Sequence, residues 1–438
     1  MPTRRDVLRL IGLAALATSV SSLAACGGDR TSHAEDVDLV SSDVERTPGD
    51  PAVIAPVVAV MHRLGGGLYG GLAGTPGNLA LSPYSVAVAL AMTANGAVGA
   101  TAGEMAHVLG LDIADLDLAA YNGGLGALTQ AVEALAITEE RPGDEPAVIK
   151  LDSANALFGD KATPWRPAYL DTLAASYGAG MRVVDWAGAT EAGRVAVNAW
   201  TAEQTHDRIP EILPPGSVDA LTKLVLVNAL YFKAPWQTTF EEHATADLPF
   251  HVDGGDPVDV PTMRGTLMGA GYAEVDGCRV VRLPYYGGTL AMTVLLPEDL
   301  ASFEEQQVAP GNLATYIANV SSTAVSLSLP KWTFRPASDL AEVLGALGMP
   351  TAFDPSAADF SGMTEDADGL CITDVAHQAW IAVDEAGTEA AAATAVAVGG
   401  TSMPETVPLV VDRPFLFVIH DVEHGTPLFV GRVTDPRG

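Results

Sequence analysis

The chain is 438 residues long and carries 23 Lys and Arg against 54 Asp and Glu, a formal net charge of −31. That balance excludes partners bound through phosphates, because nucleic acid and anionic membrane surfaces repel it. Apolar residues make up 48% and charged residues 18%, which excludes a disordered chain, and three cysteines with no C-x-x-C pair exclude a disulfide scaffold and a zinc or redox module.

At the N-terminus, Thr3-Arg4-Arg5-Asp6-Val7-Leu8 sets a twin arginine ahead of an apolar run, Leu10 to Ala25, of about 16 residues. A membrane span needs about 20 apolar residues, so the run reads as an export signal. Leu23-Ala24-Ala25-Cys26 has the form of a bacterial lipobox, where cleavage precedes the cysteine and a diacylglycerol is attached to it. The expectation is a twin-arginine lipoprotein signal over residues 1–25 and a chain held by Cys26 on the outer face of the cell membrane. Residues 27–50 are polar and lack an apolar period, so a solvated linker is expected there, with the folded part running from Pro51 to Arg437.

The first half of that part reads as helical. Ser82-Pro83 supplies a capping serine and a proline at the first helical position. Thr101-Ala102-Gly103-Glu104 has capping-box spacing before Met105 and Leu109, and Arg194 to Ile209 carries helical spacing through Val197, Trp200 and Ala202. The second half reads as strands. Leu224 to Phe232 is an apolar run between Lys223 and Lys233, and Thr289 to Leu296 is another, stopped by Pro297. Val325, Leu327 and Leu329 alternate with serines, and Phe415 to Ile419 pairs as a hairpin with Leu428 to Val433 around Gly425. Helices first and long strands later, without βαβ alternation, predict an α+β fold with large antiparallel or mixed sheets.

Several catalytic motifs are missing or out of context. Gly65-Gly66-Gly67-Leu68-Tyr69-Gly70 fits G-x-G-x-x-G but follows a helical stretch, Val57 to Leu64, so a flexible turn is expected rather than a dinucleotide site. There is no G-x-S-x-G, Walker A or H-E-x-x-H sequence. His420 and His424 stand four apart but straddle the hairpin turn, and nothing favours a Ser-His-Asp triad.

The unusual segment is Asp384 to Pro404, a connection of about 25 residues between the expected strands Ala379 to Val383 and Leu409 to Val411. Thr388, Ala390, Ala392, Thr394, Val396 and Val398 are small or β-branched on one parity, with Glu389 on the other. A loop written with a strand's alternation is a candidate conformational switch; a low-complexity alanine linker is the alternative.

Glu385-Ala386-Gly387-Thr388-Glu389-Ala390-Ala391-Ala392-Ala393 resembles the reactive-loop hinge of inhibitory serpins. Further serpin-like motifs are Asn78 to Ser85, Asn155-Ala156-Leu157-Phe158, Val227 to Lys233 with Trp236, Leu283-Pro284-Tyr285, Leu329-Pro330-Lys331, Phe360-Ser361-Gly362-Met363 and Asp412 to Phe417. The resemblance implies a single domain of three β-sheets and about nine helices, with an exposed reactive-centre loop at about residues 385–408. It implies a protease inhibitor rather than an enzyme, without cofactor or metal, and a monomer whose only membrane contact is the N-terminal lipid. In the implied mechanism a serine protease forms an acyl-enzyme with the loop. The cut loop enters the main sheet as a new strand, and deacylation stalls.

By the same resemblance Ser82, Ser85, Asn228 and His377 form the shutter where the sheet opens, and Trp236, Lys331 and Glu385 the breach at its top. Counting from Gly387 places the scissile bond at Thr401–Ser402, with Val398–Gly399 as rival. No Lys or Arg occurs from Glu385 to Asp412, so an elastase-like or subtilisin-like serine protease is the expected target, with a cysteine protease as the alternative. Cys278 and Cys371 are left open as a pair. The other readings are a non-inhibitory serpin acting as a carrier and an extracytoplasmic solute-binding lipoprotein.

Overall fold

The apolar run that starts at Leu224 is the spine of the larger sheet. The structure is a computed structural model and describes residues 37–140, 146–252, 255–389 and 406–438. Ten strands share this sheet: β1 (Asp38–Val40), β2 (Ile137–Glu139), β3 (Ala147–Asp160), β4 (Met181–Val184), β5 (Leu224–Pro235), β6 (Trp332–Phe334), β7 (Ala337–Asp339), β8 (Ile372–Ala379), β9 (Ile381–Val383) and β10 (Gly387–Thr388). One limb runs β1–β4–β3–β5, with β2 on β3. Beyond β5 the sheet forks. Its lower half continues as β5–β8–β7, with β8 parallel to β5 from Ile372 opposite Leu224 to Ala379 opposite Leu230. Its upper half continues as β5–β10–β9–β6, antiparallel throughout.

All of β5 is buried except Lys233, which is half-buried, because the sheet is covered on both faces. Five helices matter here: α1 (Ile54–Leu72), α2 (Pro83–Ala94), α3 (Leu118–Glu133), α4 (Pro167–Tyr177) and α5 (Trp186–Gln204). Helix α2 is buried along all twelve residues and lies between the two sheets, as an all-round apolar helix must. Its start is the expected one: Ser82 Oγ accepts from Ser85 N at 3.1 Å, with Pro83 at the first turn. On the other face, α5 packs Trp186 and Val197 over Ala154, Ala156, Phe158, Val225 and Val227.

The second sheet runs Thr406–Val410, Ser321–Pro330, Val258–Val275, Cys278–Pro284, Leu290–Leu296, Phe415–Asp421, Pro427–Val433 and Leu79–Leu81, with Ala246–Phe250 alongside Val258–Val275. The second and third sheets implied by the resemblance join here through the 18-residue strand Val258–Val275. Ten α-helices stand among the described residues.

Four local expectations are corrected. The linker is solvent-exposed as expected but not free from residue 37 onward. Here β1 pairs antiparallel with β4, Thr47 N donates to Ala175 O (2.8 Å), Gln130 Nε2 donates to Thr47 O (2.9 Å) and Arg46 meets Glu133 at 2.7 Å, so residues 37–50 form a strap across α3 and α4. The glycine run 65–70 is not a turn but continues α1. At Gly66 a Cβ would stand 2.5 Å from Val308 O and 2.6 Å from Gly311 N, so the glycine permits close packing of backbones.

The capping box at Thr101 lies inside a helix, Gly99–Val108, whose N-cap is Val98. Thr101 Oγ1 instead accepts from Asp359 N, and Glu104 binds Thr351 through its amide and hydroxyl. Helix α5 stops at Gln204, five residues short of the expected end, because His206 and Asp207 take left-handed conformations with φ of 50° and 62°. Cys278 and Cys371 are free and buried, and burial pushes the Cys278 thiol up to about 12.

Candidate functional site: the hinge at the head of the fork

The fork is filled at its top by the first residues of the hinge. Gly387 lies opposite Pro235 and Thr388 opposite Ala234 on β5, while Thr388 also pairs with Val383 of β9. At Gly387 a Cβ would stand 2.2 Å from Ala234 O, so only glycine lets the chain enter at this level. Thr388 is fully buried, its Oγ1 2.7 Å from the Tyr285 hydroxyl. Tyr285 stacks on Trp236, with ring centroids 4.6 Å apart and an interplanar angle of 8°. Trp236 closes the ring of contacts, since its Nε1 donates to Asp384 O and its N donates to Ala386 O, each at 2.9 Å.

Glu385 is anchored beside this stack. Lys331 Nζ approaches Glu385 Oε2 at 2.6 Å, Thr245 Oγ1 donates to Oε1 at 2.7 Å, and Phe240 N donates to Glu385 O at 2.9 Å. Burial alone raises the Glu385 carboxyl, but the hydrogen bonds from Lys331 and Thr245 outweigh it and hold it below its ordinary range. Asp384 is raised by burial, although its carboxylate accepts from Ala386 N and Gly387 N in a tight turn. The strand ends at Thr388. Glu389 has φ 47°, and its carboxylate meets Arg208 at 2.6 Å. A left-handed non-glycine residue costs about 1–2 kcal/mol, so surrounding contacts must hold it.

Lower in the sheet lies a polar row. Asn155 of β3 faces Asn228 of β5, which faces His377 of β8, which faces Ser338 of β7. Beneath the row, Ser82 N donates to His377 Nε2 at 3.1 Å and Ser85 Oγ bonds Asn155 Oδ1. His377 is buried, and burial lowers its pKa to about 4, so the ring is a neutral acceptor. Both polar side-chain atoms of Asn228, the Nδ1 of His377 and the Oε1 of Gln378 are buried without a partner among the described residues.

Trp236, Lys331 and Glu385 are thus brought together, as are Ser82, Ser85, Asn228 and His377. Cys26, Ala390, Ala391, Ala392, Ala393, Val398, Gly399, Thr401 and Ser402 lie outside the described residues. Sequence reasoning passed over Tyr285, Thr245 and Arg208 as hinge contacts. Tyr285 ends the Leu283-Pro284-Tyr285 motif, but its tie to Thr388 depends on a register that no local pattern encodes.

Comparison with known proteins agrees with this geometry. A family model described as serpin (serine protease inhibitor) matches residues 61–436. The leukocyte elastase inhibitor of Sus scrofa is 36% identical over 373 residues, covering 82% of this chain and 93% of that protein. An uncharacterised serpin-like protein of Thermococcus kodakarensis is 36% identical over 387 residues, covering 87% of this chain and 86% of its own length. Among solved structures, the thermophilic serpin tengpin in its native state superposes with a TM-score of 0.79 at 26% identity, covering 91% of this chain and all of that one.

Proposed function

The chain belongs to the serpin family, and from that premise we propose that it is an inhibitory member acting as a suicide substrate of an elastase-like or subtilisin-like serine protease. The carrying observation is Thr388, which sits buried in the strand position between β5 and β9 while β5 and β8 remain paired below. The loop has begun to enter a sheet whose lower half is still closed.

The chemistry belongs to the target. Its serine Oγ attacks the carbonyl of Thr401, the amine of Ser402 leaves with the proton, and an ester joins the protease to the new C-terminus. Inserting about 15 residues at about 3.3 Å each then carries that ester roughly 50 Å down the sheet. Distortion of the protease's oxyanion hole stalls the attack of water.

Small hinge residues fit this path, since a bulky or charged group at an inward position would clash or lose hydration. The absence of Lys and Arg from Glu385 to Asp412 and the relative's name as an elastase inhibitor both support a protease that accepts small aliphatic residues. In the same proposal Cys26 carries the lipid and the domain works outside the cell membrane as a monomer.

The test is to incubate residues 27–438 with an elastase-like and a subtilisin-like protease and separate the products on denaturing gels. A covalent band of summed mass with loss of protease activity supports inhibition, and sequencing the released C-terminal peptide fixes the scissile bond. Cleavage without such a band and without a rise in melting temperature would overturn the proposal in favour of a carrier-type serpin. Cleavage with a large rise but no band keeps loop insertion and rejects the protease tried.

A further inference from the structure

The register at the fork counts how far the hinge can advance before it must break anything. Gly387 faces Pro235 and Thr388 faces Ala234, so continuing the antiparallel ladder sets Glu389 opposite Lys233, Ala390 opposite Phe232 and Ala391 opposite Tyr231. The paired part of β5 and β8 begins only at Leu230, opposite Ala379. Three further residues could therefore pair with β5 before any β5–β8 hydrogen bond is lost, yet the strand ends at Thr388 and Glu389 is left-handed, keeping only its amide in register with β9.

What meets Glu389 at that turn is built for the purpose. Arg208 Nε and Nη2 both reach Glu389 Oε1, at 2.7 and 2.6 Å. The guanidinium carbon lies 4.8 Å from the ring centre of Trp380, the residue between β8 and β9, so the charge rests on an aromatic face. Arg208 follows two consecutive left-handed residues, His206 and Asp207. That strained turn is fixed on three sides. His206 Nε2 meets Asp152 Oδ2 at 2.8 Å, its ring packs edge-on against Tyr231 at 4.6 Å, and Arg335 Nη1 donates to Arg208 O at 3.1 Å. Glu389 N donates to Ala382 O at 2.9 Å, which fixes the other side of the turn to β9.

We propose that Arg208 is a positioning residue for loop insertion: by holding the Glu389 carboxylate it stops the hinge after Thr388, three residues short of the closed part of the sheet. The inference deepens the inhibitory reading and rests on its premise that the loop can enter the sheet. The stop matters because a hinge free to zip those three residues reaches the closed seam without cleavage, and every later step shortens the loop available to a protease.

The experiment compares wild type, Arg208→Ala, Arg208→Lys and Glu389→Gln as uncleaved full-length proteins. Each is held at a fixed temperature below its melting point, and the fraction that resists loop cleavage and no longer melts with the native form is followed in time. Loss of a charge-assisted bond should speed this conversion roughly tenfold in Arg208→Ala and Glu389→Gln. Arg208→Lys keeps the charge but not the two-nitrogen contact and should fall between, at roughly threefold. Glu389→Gln changes only the loop side, so it decides the matter if Arg208→Ala does not fold. Equal conversion rates in wild type and Glu389→Gln overturn the role of Arg208. A parallel melt of protease-cleaved wild type separates the two ideas: no rise in melting temperature sinks loop insertion itself, whereas a rise with unchanged variant rates sinks only the stop.

Discussion

The β5–β8 seam and the centre of the second sheet are both buried, yet they treat polar groups in opposite ways. In the second sheet Thr293 Oγ1 lies 2.9 Å from His420 Nε2, His420 Nδ1 donates to Asp421 O, and the Asp421 carboxylate accepts from His424 N and Thr426 N. Arg432, nearly fully buried, is held by Glu304 at 3.1 Å and by three backbone carbonyls, and Glu304 also accepts from the Tyr69 hydroxyl. Along the seam, Asn228, His377 and Gln378 keep four buried atoms without a partner among the described residues, against one, Thr426 Oγ1, in that network, and each such atom costs about 1–3 kcal/mol. In the inhibitory proposal this places strength where the fold must hold and less of it where a strand would enter.

The comparison breaks first if the second sheet proves tolerant. Replacing Arg432 by Met leaves the Glu304 carboxylate buried without its cation, and the urea midpoint should fall by an amount equal to about 3–5 kcal/mol. Cleaved and uncleaved protein should lose alike, because Arg432 binds Glu304 and the carbonyls of Ala73, Thr75 and Gly77 rather than the β5–β8 seam. A loss confined to one of the two forms would erase the distinction drawn here.

Acid probes one histidine in each region. Burial holds both His377 and His420 down to about 4, while the unfolded chain takes up those protons near pH 6.5. Stability is therefore intact above about pH 6.5 and declines as pH falls toward 4, by roughly 2–3 kcal/mol for each ring. Asp374 opposes this slope. Burial and the nearby Asp339 raise it to about 6, so its contribution weakens as pH rises from near 4 to 6. Urea melts across this range should show His377→Gln removing up to about half of the acid loss, with the remainder shared by His420 and His62, whose pKa burial also lowers.

The smallest effect has the opposite sign. Asn228→Leu removes two unpartnered atoms at nearly constant volume and should stabilise the uncleaved protein by about 1–2 kcal/mol. Insertion after cleavage should slow by a comparable factor, read as the delay before the melting temperature rises. A destabilised variant would show that Asn228 is satisfied after all and that the seam is no weaker than the second sheet.

Much of this was legible in the chain. The run at Leu224, the serine alternation at Val325 and the hairpin around Gly425 carry their own periodicity, and the hinge carries its alternation of small residues. Asn228 was visible as one polar residue in an apolar strand. What could not be read depends on distant partners. The strap at residues 37–50 has a loop's polar composition, and its order comes from Gly123, Gln130, Glu133 and Ala175, which supply contacts no local pattern announces. The glycine run looked like a turn because local propensity says nothing of the backbone at Val308 that packs against it. Arg208 looked like the end of a helix, and only the two left-handed residues before it turn its guanidinium toward Glu389.

The Trp236–Tyr285 stack makes the head of the sheet its own optical label. Trp236 is bonded through its indole nitrogen to the backbone of Asp384, and Tyr285 to Thr388, so two chromophores grip the hinge from either end. Advancing or withdrawing the loop by a single residue must exchange both hydrogen bonds. The near-ultraviolet circular dichroism and emission of this pair therefore follow the position of the hinge without any attached probe, and Trp236→Phe supplies the blank.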